Sequence, residues 1–287
     1  MIDKSVESAL VGKANKELAY LQQFDQPLLP FRRIRRGDYQ YQEQSPSDHI
    51  ANLQRYLLIA SLFISKDPSL NHFRIRHPDF QESNIVVSRS SDYSLHIVTV
   101  LDWQHASILP AFLLAGIPQR LQNYNDHVFQ SMTRPSLPEN FDDLDEDARS
   151  FENELHRRRL VHYHYVKSTE ECNEVHRAAL EDYVDVLRRR LFEQAGGPWE
   201  GETIALKVDL IEAMLSWEAL TGGGGSCPIV FDDEDVRKTL ELDAALKRAD
   251  ENMRLGQNFI GFGEEGWVPK DLYEGAWHVA RSSRRLS

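Results

Sequence analysis

The sequence predicts an α+β protein that is predominantly helical, with one short β-hairpin set among the helices. Three observations carry that expectation. Apolar residues recur at helical intervals through most of the chain, as with Val6, Leu10, Ala14, Leu18 and Leu21. The periodicity changes at Asn84–Ser88 and Leu95–Leu101, two short apolar runs separated by polar turn material from Arg89 to Tyr93. No apolar run approaches the roughly 20 residues that a membrane-spanning helix needs. The longest, such as Tyr56 to Ile64, fall far short of it.

The first helix is expected from about Ser5 to Phe24, and Pro27 and Pro30 prevent its continuation. Tyr39 to Ser45 reads as a polar, irregular loop. Ser47 is the expected N-cap of a helix that carries Ile50, Leu53, Tyr56, Leu57 and Ala60. The hairpin follows, with a loop of about five or six residues. Beyond Trp103 the chain is expected to be nearly all helix, over roughly Arg149–Ser168, Asn173–Gln194, Ile204–Thr221, Asp233–Leu255 and Lys270–Ser282. Breakers fall at Gly196-Gly197-Pro198 and at Gly222 to Gly225. The second of these lies between two amphipathic helices and reads as a tight connection within one domain. No internal repeat is visible.

Composition narrows the function classes. A net charge of −12 argues against a general nucleic-acid binder, which needs a basic surface. Basic clusters at Arg32–Arg36, Arg157–Arg159 and Arg188–Arg190 sit among acidic neighbours and read as solvated helix faces. Cys172 and Cys227 share no motif spacing, which suggests two buried or half-buried thiols in a reducing compartment. No n-region followed by an apolar h-region opens the chain, so a secretory signal is not expected, and Asp3 and Glu7 interrupt an Arg-rich transit pattern.

The informative stretch is His77-Pro78-Asp79-Phe80-Gln81-Glu82-Ser83-Asn84, followed by Leu101-Asp102-Trp103. The pattern is H-x-D-x-x-x-x-N, then an apolar strand ending in Asp and an aromatic residue. Protein kinases use this spacing for a catalytic loop and a metal-binding Asp. A catalytic base belongs on a loop beside the metal, where it can accept a hydroxyl proton. Asn84 begins the first hairpin strand and Asp102 ends the second, so antiparallel pairing returns both to one end. Two hard oxygen ligands meeting there suit Mg²⁺ bridging nucleotide phosphates. Taken singly, Asp79 capping a turn and Asn84 and Asp102 bounding strands would be ordinary. The joint order and spacing favour chemistry.

At these residues a resemblance becomes visible. HPDFQESNIVV and VTVLDWQHASILP resemble the catalytic core of the aminoglycoside-phosphotransferase-like superfamily, whose loop is usually His-Gly-Asp-x-His-x-x-Asn. The fungal "altered inheritance of mitochondria" branch is more similar still, with His-Pro-Asp and Asp-Trp-Gln in these positions. SPSDHIANLQRYLLIA and ASILPAFLLAGIPQRLQNY match that branch too. The similarity runs from about Gly12 to Trp277 and is most specific around 72–124. The resemblance implies Asp79 as catalytic base, Asn84 and Asp102 as Mg²⁺ ligands, and His77 as the residue that orients the loop backbone. Gln81 stands where many relatives carry a second His, and no catalytic role is assigned to it.

The same resemblance implies that residues 1–287 form a single kinase-like large (C-terminal) lobe. Its catalytic loop and metal hairpin would occupy 75–104 and its helical remainder 105–287. Only 76 residues precede His77, and of the lysines there, Lys4, Lys13, Lys16 and Lys66, none sits in an apolar strand. A small ATP-binding lobe is therefore expected to be absent. The expected activity is ATP- and Mg²⁺-dependent phosphoryl transfer to a small-molecule hydroxyl, lost in the isolated chain. The alternative is a non-catalytic, pseudokinase-like binding or regulatory module. A bare cleft face, built from Ile85, Val87, Val98 and Val100 with Leu10, Leu18 and Leu21 of the first helix, is expected to drive self-association or recruit a partner. The resemblance points to the mitochondrion, with the cytoplasm as the alternative.

Three further features read as structural. Gly261–Gly266 matches G-x-G-x-x-G but lacks a preceding strand and a following helix, so it reads as a loop. Glu139–Asp147 reads as a solvated acidic loop, with attraction of a cationic substrate as the alternative. His162 and His164 flank Tyr163 on a helix, where alternate positions face different sides, whereas a metal pair would prefer i, i+4 spacing.

Overall fold

The computed structural model describes residues 5–77, 79–118, 121, 133–223, 225–260, 268, 270, 273–275 and 277. Within them the protein is α+β and mostly helical, with two small antiparallel sheets. The chain divides into two compact units, one of residues 1–10 and 63–192 and one of 11–62 and 193–287. The Gly261–Gly266 loop and most of the expected helix Lys270–Ser282 lie outside the described residues.

The first unit carries the strands β1 (Phe73–Arg76), β2 (Ile85–Arg89), β3 (Leu95–Val100) and β4 (Ser107–Pro110). The hairpin β2–β3 forms within a residue of its expected bounds. Its register runs from Ile85↔Val100 to Arg89↔Leu95, with a bulge that leaves Val98 as an extra residue opposite Val86–Val87. β1 and β4 pair antiparallel, from Phe73↔Pro110 to Arg76↔Ser107, which adds a strand at 107–110 where the chain beyond Trp103 is expected to be nearly all helix. Four-residue strands carry too little alternation to announce themselves, and this pairing closes a long loop that only the fold brings together.

The helices are α1 (Val6–Phe24), α2 (Ser47–Ile59), α3 (Ala111–Leu114), α4 (Glu146–Cys172), α5 (Glu174–Glu181), α6 (Tyr183–Ala195), α7 (Ile204–Leu215), α8 (Trp217–Thr221) and α9 (Asp233–Ile260). α4 begins before Arg149 because the Asp145 carboxylate accepts the Ala148 N–H at 2.8 Å and caps it. The single helix expected over Asn173–Gln194 is two helices. Asp182 is extended (φ −73°, ψ 114°), and its carboxylate accepts the Val184 N–H at 2.8 Å. Asn173 caps α5 in the same way, accepting from His176 N–H at 3.1 Å. Ile204–Thr221 likewise divides at Ser216, and α8 ends on Gly222, whose φ of +67° suits a residue without Cβ. Ser47 is the first helical residue of α2 rather than its cap, a position that Pro46 takes.

In the first unit α3 packs on α5, β1 and β4, and α4 packs on α5. Phe63, Phe112, Ala179, Leu187 and Leu191 are fully buried there. The larger of these side chains each stabilise the fold by roughly 1.5–3 kcal/mol. Arg188 and Arg189 are buried too, which overturns the solvated reading of Arg188–Arg190. Arg188 donates to Asp185 at 2.8 Å. Arg189 donates to the carbonyls of Phe112 at 3.1 Å and Ala179 at 2.6 Å, groups that short helices leave without internal partners.

In the second unit α7 receives both α2 and α9. Leu206, Leu210 and Ile211 of α7 are buried, as are Leu53, Tyr56 and Ile59 of α2. The Arg32–Arg36 cluster lies on a 3₁₀ turn rather than a solvated helix face: Arg35 is paired with Glu202 and Asp250. Its guanidinium holds the Asp250 carboxyl below the usual carboxylate range. Arg157, paired with Glu154 on α4, is solvated as expected. Cys172 is exposed rather than buried, while Cys227 is half-buried, which pushes its thiol up; both are free.

Candidate functional site

The loop from His77 to Asn84 leads from β1 into β2 and is tied down by its own side chains. Asn84 ends a 3₁₀ turn (Glu82–Asn84), so β2 begins one residue later than expected. Its side-chain amide donates to the Asp79 carbonyl at 2.9 Å and to the Asp79 carboxylate at 3.3 Å. Gln81 also donates to the Asp79 carboxylate. Two amides therefore fix the direction of that carboxylate, which lies on the exposed side of the loop. Because the Asn84 NH₂ is engaged, its Oδ1 is the end left for a cation.

The other end of the hairpin meets the loop at Leu101. The Leu101 N–H donates to the Asn84 carbonyl at 2.8 Å, and the Leu101 carbonyl lies 2.6 Å from His77 Nε2. A carbonyl only accepts, so His77 Nε2 is the donor. His77 is buried at 5% exposure, against the edges of Trp103 (4.9 Å between centroids) and Phe80 (6.2 Å). Asp102, the next residue after Leu101, is exposed and has φ +61°, a left-handed conformation that a non-glycine residue adopts at a cost.

Asp79 and Asn84 are thus linked directly, and His77 joins them through Leu101. Asp102 stands at the same end of the hairpin through the residue before it. Asn84 Oδ1 and the exposed Asp102 carboxylate are hard oxygen donors. Among the described residues no group of three or more His, Cys, Asp or Glu forms a metal cage. Such a sparse donor set fits Mg²⁺, which keeps several waters and takes one or two protein ligands plus phosphate oxygens.

One expectation about the surroundings changes. Leu10 and Leu21 are fully buried, so the first helix does not present them as a bare face. The hairpin itself is open to solvent, with Val87 51%, Ile97 66% and Val98 61% exposed. Sequence reasoning also missed the Gln81–Asp79 contact and the cavity beside His77, lined from β1, α3, α4 and α5. The Arg74 and Arg76 alternation in β1 was the available signal for the latter. Of the histidine pair on α4, His162 is buried with Nδ1 2.7 Å from the Leu121 carbonyl, and His164 is exposed. No described helix is long and apolar enough to cross a membrane.

Among known proteins, this chain is similar to a subtelomeric hrmA-associated cluster protein of Aspergillus fumigatus, found in two strains. Identity is 26% over 241 residues, covering 83% of this chain and 46% of the relative, so the chain spans about half the length of the curated relatives it matches. No protein-family model matches the chain, and no solved structure does.

Proposed function

We propose that the chain is the helical, catalytic-loop-bearing lobe of an aminoglycoside-phosphotransferase-like kinase, specialised for ATP- and Mg²⁺-dependent phosphoryl transfer to a small-molecule hydroxyl. The observation that supports this reading most is the interlock in which Asn84 holds Asp79 while His77 anchors Leu101, directly before Asp102. Asp79 accepts the hydroxyl proton as the new O–P bond forms and the bond to the ADP leaving group breaks. Gln81 and Asn84 keep its carboxylate aimed. Asn84 Oδ1 and Asp102 would hold Mg²⁺, which would supply charge neutralisation at the transferring phosphate.

Manganese tests the metal assignment, because it replaces magnesium and broadens nearby NMR signals. Broadening is expected around Asn84 and Asp102, and Asp102→Asn or Asn84→Leu should weaken Mn²⁺ binding by about tenfold or more. Broadening that is unchanged in both variants would sink the assignment. The chain alone is expected to show no turnover. Among the described residues no strand carries a lysine, and phosphoryl transfer depends on positioning and charge neutralisation of the phosphates. Turnover that Asp79→Asn abolished would refute the inertness and keep the base.

The second reading, a pseudokinase-like binding module, draws on the same lysine-free strands and on the exposed apolar hairpin. In either reading the hairpin is the surface for self-association. Sedimentation velocity is expected to show concentration-dependent dimers that Ile97→Lys weakens; a stable monomer at tens of micromolar would remove that role. The reading carries the mitochondrial assignment with it, with the cytoplasm as the alternative, and fluorescent tagging in a fungal host decides between them.

A further inference from the structure

We propose that the cavity beside His77 binds a small hydroxylated organic acid with a flat apolar body. The cavity lies within the first unit and measures about 500 Å³, the size of a small-molecule site. Its described lining contains no Asp or Glu, but it does contain Arg74, Arg76 and His176. Arg76 donates to the carbonyls of Leu114 and Gly116, leaving three of its five N–H groups for other use. Among the described residues the Arg74 side chain reaches the carbonyl of its neighbour Phe73, at 3.2 Å, and no other group. Burial, and then the charges of Arg76 and Arg189, hold the His176 ring below its ordinary value, and Arg74 and Arg76 give the lining its positive charge. A carboxylate fits beside these arginines, and a polyamine is repelled from them.

Other lining residues supply shape and a polar anchor. Phe80 and Trp103 line the cavity and flank the His77 ring, offering apolar surface to a flat ligand body. His77 is buried, and because Nε2 donates to Leu101, its neutral tautomer would present Nδ1 as an acceptor. That Nδ1 has no partner among the described residues. A buried acceptor without a donor costs roughly 1–3 kcal/mol, and a ligand hydroxyl would satisfy it. The ligand class rests on the cavity alone. Only the further step, that this hydroxyl is the phosphoryl acceptor, rests on the phosphotransferase reading. The acidic stretch Glu139–Asp147 plays no part, since none of it lines the cavity.

Calorimetric titration of the whole chain tests the proposal with four probes. These are 4-hydroxybenzoate and 4-hydroxyphenylacetate, the uncharged 4-hydroxybenzyl alcohol, and the polycation kanamycin. At least one acid is expected to bind with Kd of about 1 mM or tighter, with the alcohol about tenfold weaker and kanamycin not bound. Arg74→Gln should cost about tenfold in acid affinity, and Phe80→Ala should weaken both acid and alcohol, with circular dichroism unchanged. Failure of both acids to bind, equal binding of the alcohol, or kanamycin binding that the acids displace would each overturn the assignment. Acid binding in a sample without Mn²⁺ binding at Asn84 and Asp102 would sink the phosphotransferase reading and leave this site standing.

Discussion

Arg188→Ala is expected to destabilise the protein by about 3–5 kcal/mol, read as a lowered urea midpoint at neutral pH. Arg188 and Asp185 face each other across one turn of α6, with side chains 6% and 1% exposed. Burial pushes the Asp185 carboxyl up, and the Arg188 guanidinium opposes that push. Truncating the arginine leaves the carboxylate buried without its cation, so Asp185 must protonate or the region must open. The double variant Asp185→Leu/Arg188→Met should recover most of the loss, because an apolar pair of similar volume removes both desolvation costs at once. A single-variant loss below about 1 kcal/mol would mean that the pair behaves as a solvated surface pair instead.

Acidification from pH 6.5 toward 4 is expected to cost stability through His49. Its ring is 4% exposed, lies 5.4 Å from the Trp199 ring, and sets Nδ1 2.9 Å from the Thr203 hydroxyl. Its Nε2 is buried without a partner among the described residues, and burial lowers its pKa from 6.5 to about 4. The unfolded chain then binds a proton at this site that the folded chain refuses. Stability from this group is present in full above 6.5 and is lost as pH falls toward 4, by about 3 kcal/mol in all. Other groups titrate in the same window, so the reading is the difference from His49→Gln, whose stability should fall less over that range. Parallel curves for the two proteins would show that His49 is protonated in the folded state.

Much of the site was legible before the fold because it is local in sequence. Asp79 and Asn84 lie five residues apart, and a hairpin with a short loop returns Asp102 to Asn84 by pairing alone. The helical regions were legible for a similar reason, since a 3.6-residue apolar period survives over long segments. Their interruptions were less so. Asp182 is one polar residue in an otherwise helical pattern, and its preference for capping Val184 over continuing the helix is a local contest that periodicity does not record.

The sequence by itself determined the helical class, the hairpin register end that joins Asn84 to Asp102, and the residue types gathered there. Only the tertiary structure decided the fate of its charges and short strands. Arg188 and Arg189 look like any basic helix face until α3 and α5 place carbonyls around Arg189 and the fold buries Asp185 beside Arg188. β1 and β4 exist because the fold brings 73–76 and 107–110 together, and the cavity with its carboxylate-free lining follows from that pairing and from α4 and α5. Periodicity reports which side of an element is apolar. It does not report which distant backbone will stand opposite, and burial of charge depends on that partner alone.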